Sequence, residues 1–199
     1  MSPLDPAEVP DALRGKRLAL LVTGGIAAYK VADVVPRLVA AGCEVRVAMT
    51  AAAARFVGPV TFHGLSGRRV ELDLFAPDAA AEPHVELGDW AQAALVAPAT
   101  ADLLARLAGG HASDPVSATV LAARCPVVVA PAMNDAMWAN PAVAANVATL
   151  RERGLTVVDP EVGRLASGHF GAGRLPGTAV LLAALAGAAG GRRDPSGRP

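Results

Sequence analysis

The stretch RLALLVTGGIAAYK, residues 17–30, decides the fold. Residues 17–22 form a short and largely apolar run that ends at Gly24 and Gly25, which is typical of a strand buried on both faces of a parallel sheet. Residues 27–41 then have the apolar spacing of a helix, and residues 44–49 predict the next strand. The chain is therefore expected to open with a strand–helix–strand unit.

The same alternation of strand and helix continues downstream. Five such strands with intervening helices predict an α/β fold: one doubly wound parallel sheet, Rossmann-like or flavodoxin-like, with helices on both faces. In such sheets ligands bind beyond the carboxyl ends of the strands, so the loops that follow the strands form the candidate site. The further predicted strands are residues 93–97, 126–130 and 155–158, and the further predicted helices are residues 102–108, 142–153 and 178–189.

Size and composition favour a single domain. With 199 residues, of which 53% are hydrophobic, the chain is long enough for one well-buried core but short for two. We expect an N-terminal lead-in at residues 1–15, a folded domain at residues 16–189, and a disordered tail rich in Gly, Arg and Pro at residues 190–199.

Charge and hydropathy argue against two classes of partner. The formal net charge is zero and the basic residues are scattered, so nucleic acid is not expected to bind. No apolar stretch reaches the roughly 20 residues that span a bilayer, and the N-terminus lacks the features of a signal peptide, so no membrane association is expected. Cys43 and Cys125 lie in or beside apolar runs, as buried thiols of a reducing compartment do, which predicts a cytoplasmic location.

The loop after the first strand is a candidate phosphate site. Gly24, Gly25, Ile26 and Ala27 lie where a strand passes into a helix, and the amide groups and the positive end of the helix dipole there favour an anion. The loop lacks the spacing of the GxGxxG and GxxxxGK[ST] motifs, which argues against a standard NAD or ATP site. A tight turn that binds nothing is the alternative.

Two further loops offer weaker signals. Thr50 follows the second strand as a helix N-cap, and its hydroxyl could equally reach a phosphate. PATAD at residues 98–102 combines small side chains, which let a flat ring approach the backbone, with hydroxyl and carboxylate groups for polar edges. A plain turn with an N-cap is an equally good interpretation of this segment.

The segment PAMNDAMW, residues 131–138, places two methionines and a tryptophan in a loop after a buried strand. Such residues suit a lid that excludes water while Asn134 hydrogen-bonds a carboxylate or an amide. A hydrophobic plug at a subunit interface is the alternative, and both can hold together.

His84 precedes the third of these strands and could reach the same end of the sheet, although a histidine in such a position is more often a surface residue. The four histidines do not cluster with the cysteines at the spacing of metal ligands, so no metal site is expected.

Taken in order, these segments resemble the homo-oligomeric flavin-containing cysteine decarboxylases. This family includes phosphopantothenoylcysteine decarboxylase and the peptidyl-cysteine decarboxylases of lanthipeptide, linaridin and thioamitide biosynthesis. TGGIAAYK at residues 23–30 is similar to the first flavin loop of the family, HVEL at 84–87 to its catalytic histidine segment, and PATAD at 98–102 to its PASANT motif. PAMNDAMW at 131–138 is similar to its PxMNxxM motif, and the match runs from about Lys16 to Leu182.

The resemblance implies FMN as the cofactor, with FAD also compatible, and a homotrimer with the flavin near a subunit boundary, which in peptide decarboxylases often assembles further into a dodecamer. It implies that His84 is the acid/base group of thiol oxidation and that Asn134 holds the substrate carboxylate or the adjacent amide. Pro131, Ala132, Met133 and Ser167 are expected on the substrate side with Asn134. The implied flavin contacts are Gly24, Gly25, Ile26, Ala27, Thr50, Phe56, Pro98, Thr100, Ala101, Ser117 and Met133.

Ser167 departs from the family pattern. In the resemblance it stands where phosphopantothenoylcysteine decarboxylases carry a cysteine that protonates the enethiol, and a serine hydroxyl is a much poorer acid than a thiol at pH 7. This departure predicts a reaction that stops at the enethiol: oxidative decarboxylation of the C-terminal cysteine of a precursor peptide, as in aminovinyl-cysteine formation. The alternatives are a phosphopantothenoylcysteine decarboxylase of coenzyme A biosynthesis that uses another proton donor, a non-catalytic flavin-binding regulatory subunit, and a flavin prenyltransferase, which residues 131–138 fit poorly.

Overall fold

A computed structural model describes residues 9–76 and 81–190 of the chain. The predicted tail beyond Gly190 and the first eight residues of the predicted lead-in lie outside the described residues. The strands are β1 (Arg17–Val22), β2 (Glu44–Met49), β3 (Val70–Glu71), β4 (Ala93–Ala99), β5 (Val127–Pro131), β6 (Thr156–Val157), β7 (Glu161–Arg164) and β8 (Phe170–Arg174). The helices are α1 (Ala28–Val31), α2 (Val34–Ala40), α3 (Pro59–Ser66), α4 (Pro83–Trp90), α5 (Ala101–Gly109), α6 (Pro115–Ala122), α7 (Asp135–Trp138), α8 (Pro141–Glu152) and α9 (Thr178–Gly190).

The main sheet is parallel and has the strand order β3-β2-β1-β4-β5-β6. Leu20 of β1 pairs with Val47 of β2 on one side and with Leu95 of β4 on the other. The chain thus builds one half of the sheet outward from β1 and then returns to start the other half at β4. This order confirms the predicted doubly wound α/β fold, and it creates a topological switch point between the carboxyl ends of β1 and β4, where such sheets bind ligands.

The sheet has one strand more than the five that the sequence predicts. β3 consists of Val70 and Glu71 alone and pairs with Val47 and Ala48 of β2. Two residues are too few to produce a periodic pattern, so this edge strand could not be recognised from the sequence.

The single helix predicted at residues 27–41 is wrong, because two helices occupy this region. α1 ends at Val31 and α2 begins at Val34. Pro36 has no amide hydrogen to donate to the carbonyl of Ala32, four residues earlier, so the helical hydrogen-bond ladder is interrupted at that point.

The core consists of two layers, one on each face of the sheet. Leu20 and its neighbours on one face pack against α2 and α9, whereas Leu21 and its neighbours on the other face pack against α5 and α8. The nearly all-apolar α9 buries Leu181, Leu182 and Leu185 in the first layer, as its composition predicts. No helix in the described part of the chain is both long and apolar enough to cross a bilayer.

Candidate active site

A cavity of about 550 Å³ opens at the carboxyl edge of the sheet, at the switch point. Four segments line it: the β1–α1 loop, the start of α5, the β5–α7 loop, and the β7–β8 hairpin with Leu175 after it. The first three follow neighbouring strands of the sheet, so the sheet itself fixes their relative positions. The hairpin closes the fourth side.

Thr23 joins the first two of these segments. Its side chain is 1% exposed, and its hydroxyl donates a hydrogen bond to the Pro98 carbonyl at 2.5 Å. The same oxygen accepts a hydrogen bond from the Thr100 amide at 3.2 Å. One buried hydroxyl therefore holds the β1–α1 loop against the β4–α5 loop.

The two glycines of the β1–α1 loop have different surroundings. A Cβ atom on Gly24 would lie 2.8 Å from the carbonyl carbon of Ala52, so the loop after β2 can pack this closely only against glycine. A Cβ atom on Gly25 would meet Pro98 and Thr100 side-chain atoms at 3.7 Å, which is ordinary contact. Gly24 is thus required by packing, whereas the protein itself leaves room at Gly25, which lines the cavity.

Asn134 begins α7 and faces the cavity. Its side-chain oxygen accepts a hydrogen bond from the Ala136 amide at 2.9 Å and so caps the helix. Because the oxygen is used in this way, the amide NH₂ group is left with two donors for a ligand in the cavity. Donors without a competing acceptor suit a carboxylate, and the neighbouring Met133 and Met137 line the same wall with apolar surface.

The hairpin is fixed to the β5–α7 loop through glycine contacts. The Met133 amide donates a hydrogen bond to the Gly173 carbonyl at 2.9 Å, and a Cβ atom on Gly173 would clash with the Met133 carbonyl oxygen. A Cβ atom on Gly171 would lie 2.8 Å from the Cβ of Asp135. The absence of side chains at these two positions lets the hairpin lie directly on the loop, and it brings Ser167 of the hairpin turn to the cavity.

The charged side chains of the cavity lining are all cationic: Lys30, Arg164 and Arg174. Arg174 is 3.1 Å from the carboxylate of Glu161, which also accepts a hydrogen bond from the Gly177 amide at 3.0 Å. Among the described residues that line the cavity there is no Asp or Glu, so the site favours an anionic ligand.

Nine of the predicted site residues line this cavity. On the expected flavin side these are Gly25, Ile26, Ala27, Thr100, Ala101 and Met133, and on the expected substrate side Ala132, Asn134 and Ser167 join Met133. Sequence reasoning did not select the cavity residues Tyr29, Lys30, Arg164 and Arg174. For Tyr29 and Lys30 the signal was present, because both belong to the TGGIAAYK segment; for the two arginines it was not, because the hairpin was not predicted.

The other predicted flavin contacts do not line the cavity. Gly24 packs against Ala52, and Pro98 is buried within β4. The Thr50 hydroxyl accepts a hydrogen bond from the Ala53 amide at 3.1 Å, the capping role that the sequence also allowed. Phe56 is 50% exposed.

Three more predicted site residues lie outside the cavity lining. Ser117 is fully buried in the capping box of α6, where its amide donates to the carboxylate of Asp114, and Pro131 is buried at the end of β5. His84 lies in the first turn of α4, and its Nδ1 is buried without a hydrogen-bond partner in the part of the chain that the structure describes. A buried nitrogen of this kind costs about 1–3 kcal/mol when unsatisfied, so His84 is arranged for a partner from outside the chain.

The cavity fits FMN. Gly25, Ala27 and Ala101 present small side chains that allow a flat ring close to the backbone, and Lys30 provides a positive charge for a phosphate. The volume lies within the range of about 300–1,000 Å³ that is common for cofactor and small-molecule sites.

Comparison with known proteins agrees with this geometry. The family model described as Flavoprotein matches residues 6–190. The coenzyme A biosynthesis bifunctional protein CoaBC of Mycobacterium bovis is 55% identical over 161 residues, which cover 81% of this chain and 38% of the relative. The chain thus spans about two fifths of the length of this curated relative.

Two solved structures extend the comparison. The FMN-dependent cysteine decarboxylase SpaF superposes with a TM-score of 0.76 at 38% identity, over 89% of this chain and 99% of that one. A cysteine-to-serine variant of a PPC decarboxylase, complexed with pantothenoylaminoethenethiol, superposes with a TM-score of 0.75 at 28% identity, over 85% of this chain and 96% of that one. The chain belongs to the flavoprotein family of FMN-dependent cysteine decarboxylases. The expected family, fold and cofactor are therefore confirmed.

Proposed function

We propose that this chain decarboxylates phosphopantothenoylcysteine, the alternative that the sequence left open. The observation that carries the proposal is the cationic lining of the cavity by Lys30, Arg164 and Arg174. This substrate has a phosphate at one end and a cysteine carboxylate at the other, so it presents two anionic groups to such a lining. The 55% identity to the coenzyme A biosynthesis protein supports this substrate better than a precursor peptide.

The residues of the chain divide the work of binding and proton transfer. The NH₂ group of Asn134 holds the cysteine carboxylate, and Met133 and Met137 exclude water from it. Bound FMN supplies the two-electron oxidation of the thiol, which places a C=S group beta to the carboxylate so that CO₂ can leave. His84 takes the thiol proton, since imidazole is a base near neutral pH.

His84 performs this role from a neighbouring copy. Within one chain His84 does not line the cavity, and its Nδ1 has no partner in the described residues. Large apolar side chains near the β3 edge of the sheet are exposed, among them Val60 at 76% and Phe75 at 87%. An apolar surface of this kind is a candidate for burial against another copy. We therefore assign the chain to a homotrimer in which His84 of one copy completes the cavity of the next.

The test uses the FMN-loaded protein and the isosteric variant Asn134→Asp. An Asp at this position still caps α7, because its carboxylate accepts from the Ala136 amide. It replaces the two donors by a negative charge that repels the substrate carboxylate. We expect the wild type to release CO₂ from phosphopantothenoylcysteine, and the variant to bind FMN but to lose at least about 100-fold in kcat/KM. Equal kcat/KM values would remove Asn134 from the mechanism, and no CO₂ from the wild type would refute the function.

A second candidate is the decarboxylation of a peptide that ends in cysteine. The 38% identity to SpaF and the presence of Ser167 at the cavity favour it. A peptide substrate would lose about 46 Da, the mass of CO₂ and two hydrogens, because the reaction stops at the enethiol. Phosphopantothenoylcysteine carried through to the saturated thiol would lose only the roughly 44 Da of CO₂. Mass spectrometry of the two products distinguishes the candidates.

A further inference from the structure

The proposed reaction ends in a proton transfer that Ser167 is poorly suited to perform. Loss of CO₂ leaves an enethiolate, and the saturated thiol forms when a proton adds to the carbon that lost CO₂ and a hydride adds to the carbon that bears sulfur. The hydride is the one removed from that same carbon during thiol oxidation and held by the reduced flavin. No external reductant is needed, so the protein has to supply only the proton. The PPC decarboxylase structure with serine in place of a cysteine contains an enethiol, pantothenoylaminoethenethiol.

Neither thiol of this chain can reach the substrate. Cys43 directly precedes β2 and Cys125 lies shortly before β5, so both are at the amino-terminal edge of the sheet, opposite the cavity. Both are 6% exposed, and the Cys43 thiol donates a hydrogen bond to the Leu13 carbonyl at 3.0 Å. The proton donor therefore has to be another kind of group.

The cavity lining itself offers only weak acids. Its described residues include no His, Cys, Asp or Glu, and the groups that hold a proton are hydroxyls and cations such as Ser167, Tyr29 and Lys30. Phenols and ammonium groups ordinarily titrate near pH 10, about 1.5 to 2 units above a thiol, and an aliphatic hydroxyl is weaker still. These groups release a proton to carbon much more slowly than a thiol does.

His169 lies two residues beyond Ser167 in the turn of the β7–β8 hairpin. The Leu165 amide donates a hydrogen bond to the His169 carbonyl at 2.8 Å, so these two residues are paired across the hairpin. Paired residues of antiparallel strands share one face, and Leu165 lines the cavity. His169 is exposed and thus lies at the rim of the cavity, within about 7 Å of Ser167 along the chain.

We propose that His169 is the proton donor that completes the reduction of the enethiol. The inference rests on the proposed function, because only a coenzyme A type of substrate has to be carried through to the saturated thiol. Imidazolium groups are ordinarily somewhat stronger acids than thiols and still hold part of their protons at neutral pH. The hairpin base is fixed by the Met133–Gly173 hydrogen bond, so its turn carries His169 at a defined place beside the substrate.

The test follows turnover without oxygen, where reduced flavin can be reoxidised only by the enethiol. FMN-loaded wild type, His169→Gln, Tyr29→Phe and the surface control His111→Gln receive an excess of phosphopantothenoylcysteine. Product masses, CO₂ and the yellow colour of the flavin are recorded together. We expect wild type and His111→Gln to make many equivalents of saturated thiol and to stay yellow. His169→Gln should stop after one equivalent of enethiol with the flavin bleached, and adding Ser167→Cys to it should restore turnover.

Each other outcome overturns the inference. If His169→Gln makes the saturated thiol at the wild-type rate, or if only Tyr29→Phe stops after one turnover, His169 is not the donor. If the wild type also stops at one equivalent of enethiol, no second half-reaction takes place, yet the release of CO₂ leaves the proposed decarboxylation standing. If the wild type releases no CO₂, the proposed function itself has failed.

Discussion

Replacing Thr23 with valine removes the hydroxyl that joins the two loops at the switch point, without changing the shape of the side chain. The Pro98 carbonyl and the Thr100 amide both lose their partner, at a side chain that is 1% exposed. Each buried polar group left unsatisfied costs about 1–3 kcal/mol, so the pair is worth about 2–4 kcal/mol once the added methyl group is credited. For a domain of this size that is a fall of about 6–12 °C in Tm.

Urea unfolding of the FMN-free protein measures the free-energy change, and quenching of flavin fluorescence measures the Kd for FMN. We expect Thr23→Val to bind FMN more weakly as well, because the two loops that it uncouples both line the cavity. Thr23→Ser is the matched control: it keeps both hydrogen bonds, loses one methyl group and should cost no more than about 1 kcal/mol. A Thr23→Val protein as stable as Thr23→Ser, with the same Kd, would refute the reasoning.

Three further predictions concern glycine contacts and the buried thiol. Gly25→Ala should weaken FMN binding at least tenfold but leave the Tm of the FMN-free protein unchanged, because its Cβ has room in the protein at 3.7 Å; a parallel fall in that Tm would show a packing role instead. Gly173→Ala should displace the hairpin and lower both kcat/KM and, by about 1–3 kcal/mol, stability. Gly187→Ala in α9, where no atom lies within 4 Å, is its control, and a loss equal to that of the control would contradict the assigned contact. Burial raises the pKa of the Cys43 thiol, so the folded chain keeps a proton that the unfolded chain has lost. Stability should therefore fall between about pH 8 and pH 10, by up to about 1.4 kcal/mol per pH unit, and Cys43→Ala should remove that part of the fall; an unchanged slope in urea titrations would show that Cys43 does not cause it.

The buried strands were predictable because burial on both faces leaves a continuous apolar run. β1 and β2 have the predicted bounds, and β4 and β5 differ by one or two residues. α3, α4 and α6 were not predicted, and each begins with a proline in its first turn: Pro59, Pro83 and Pro115. Proline suits the first turn because its missing amide hydrogen has no partner there. In an alanine-rich chain, where periodicity is weak, the same prolines were interpreted as loops.

The candidate site was predictable where its residues follow strands, and less so elsewhere. Gly25, Thr100 and Asn134 come together because parallel strands bring their carboxyl ends to one edge. The hairpin has no such rule. Its dependence on Gly171 and Gly173 is a matter of close approach to a distant loop, which appears only when the two segments are seen packed together. The position of His84 outside the cavity likewise reflects an arrangement between copies that one sequence cannot express.

Competition between substrates tests the central claim most directly. The FMN-loaded protein is given equal concentrations of phosphopantothenoylcysteine, its form without the phosphate, and a peptide that ends in cysteine, and mass spectrometry follows which of them loses CO₂. If the cationic lining selects the substrate, the phosphorylated compound is consumed first, with a kcat/KM at least about 100-fold above the other two, since charge-assisted contacts to the phosphate are worth roughly 1.5–3 kcal/mol each. Preferential consumption of the peptide, or equal use of the compound without phosphate, would contradict the account.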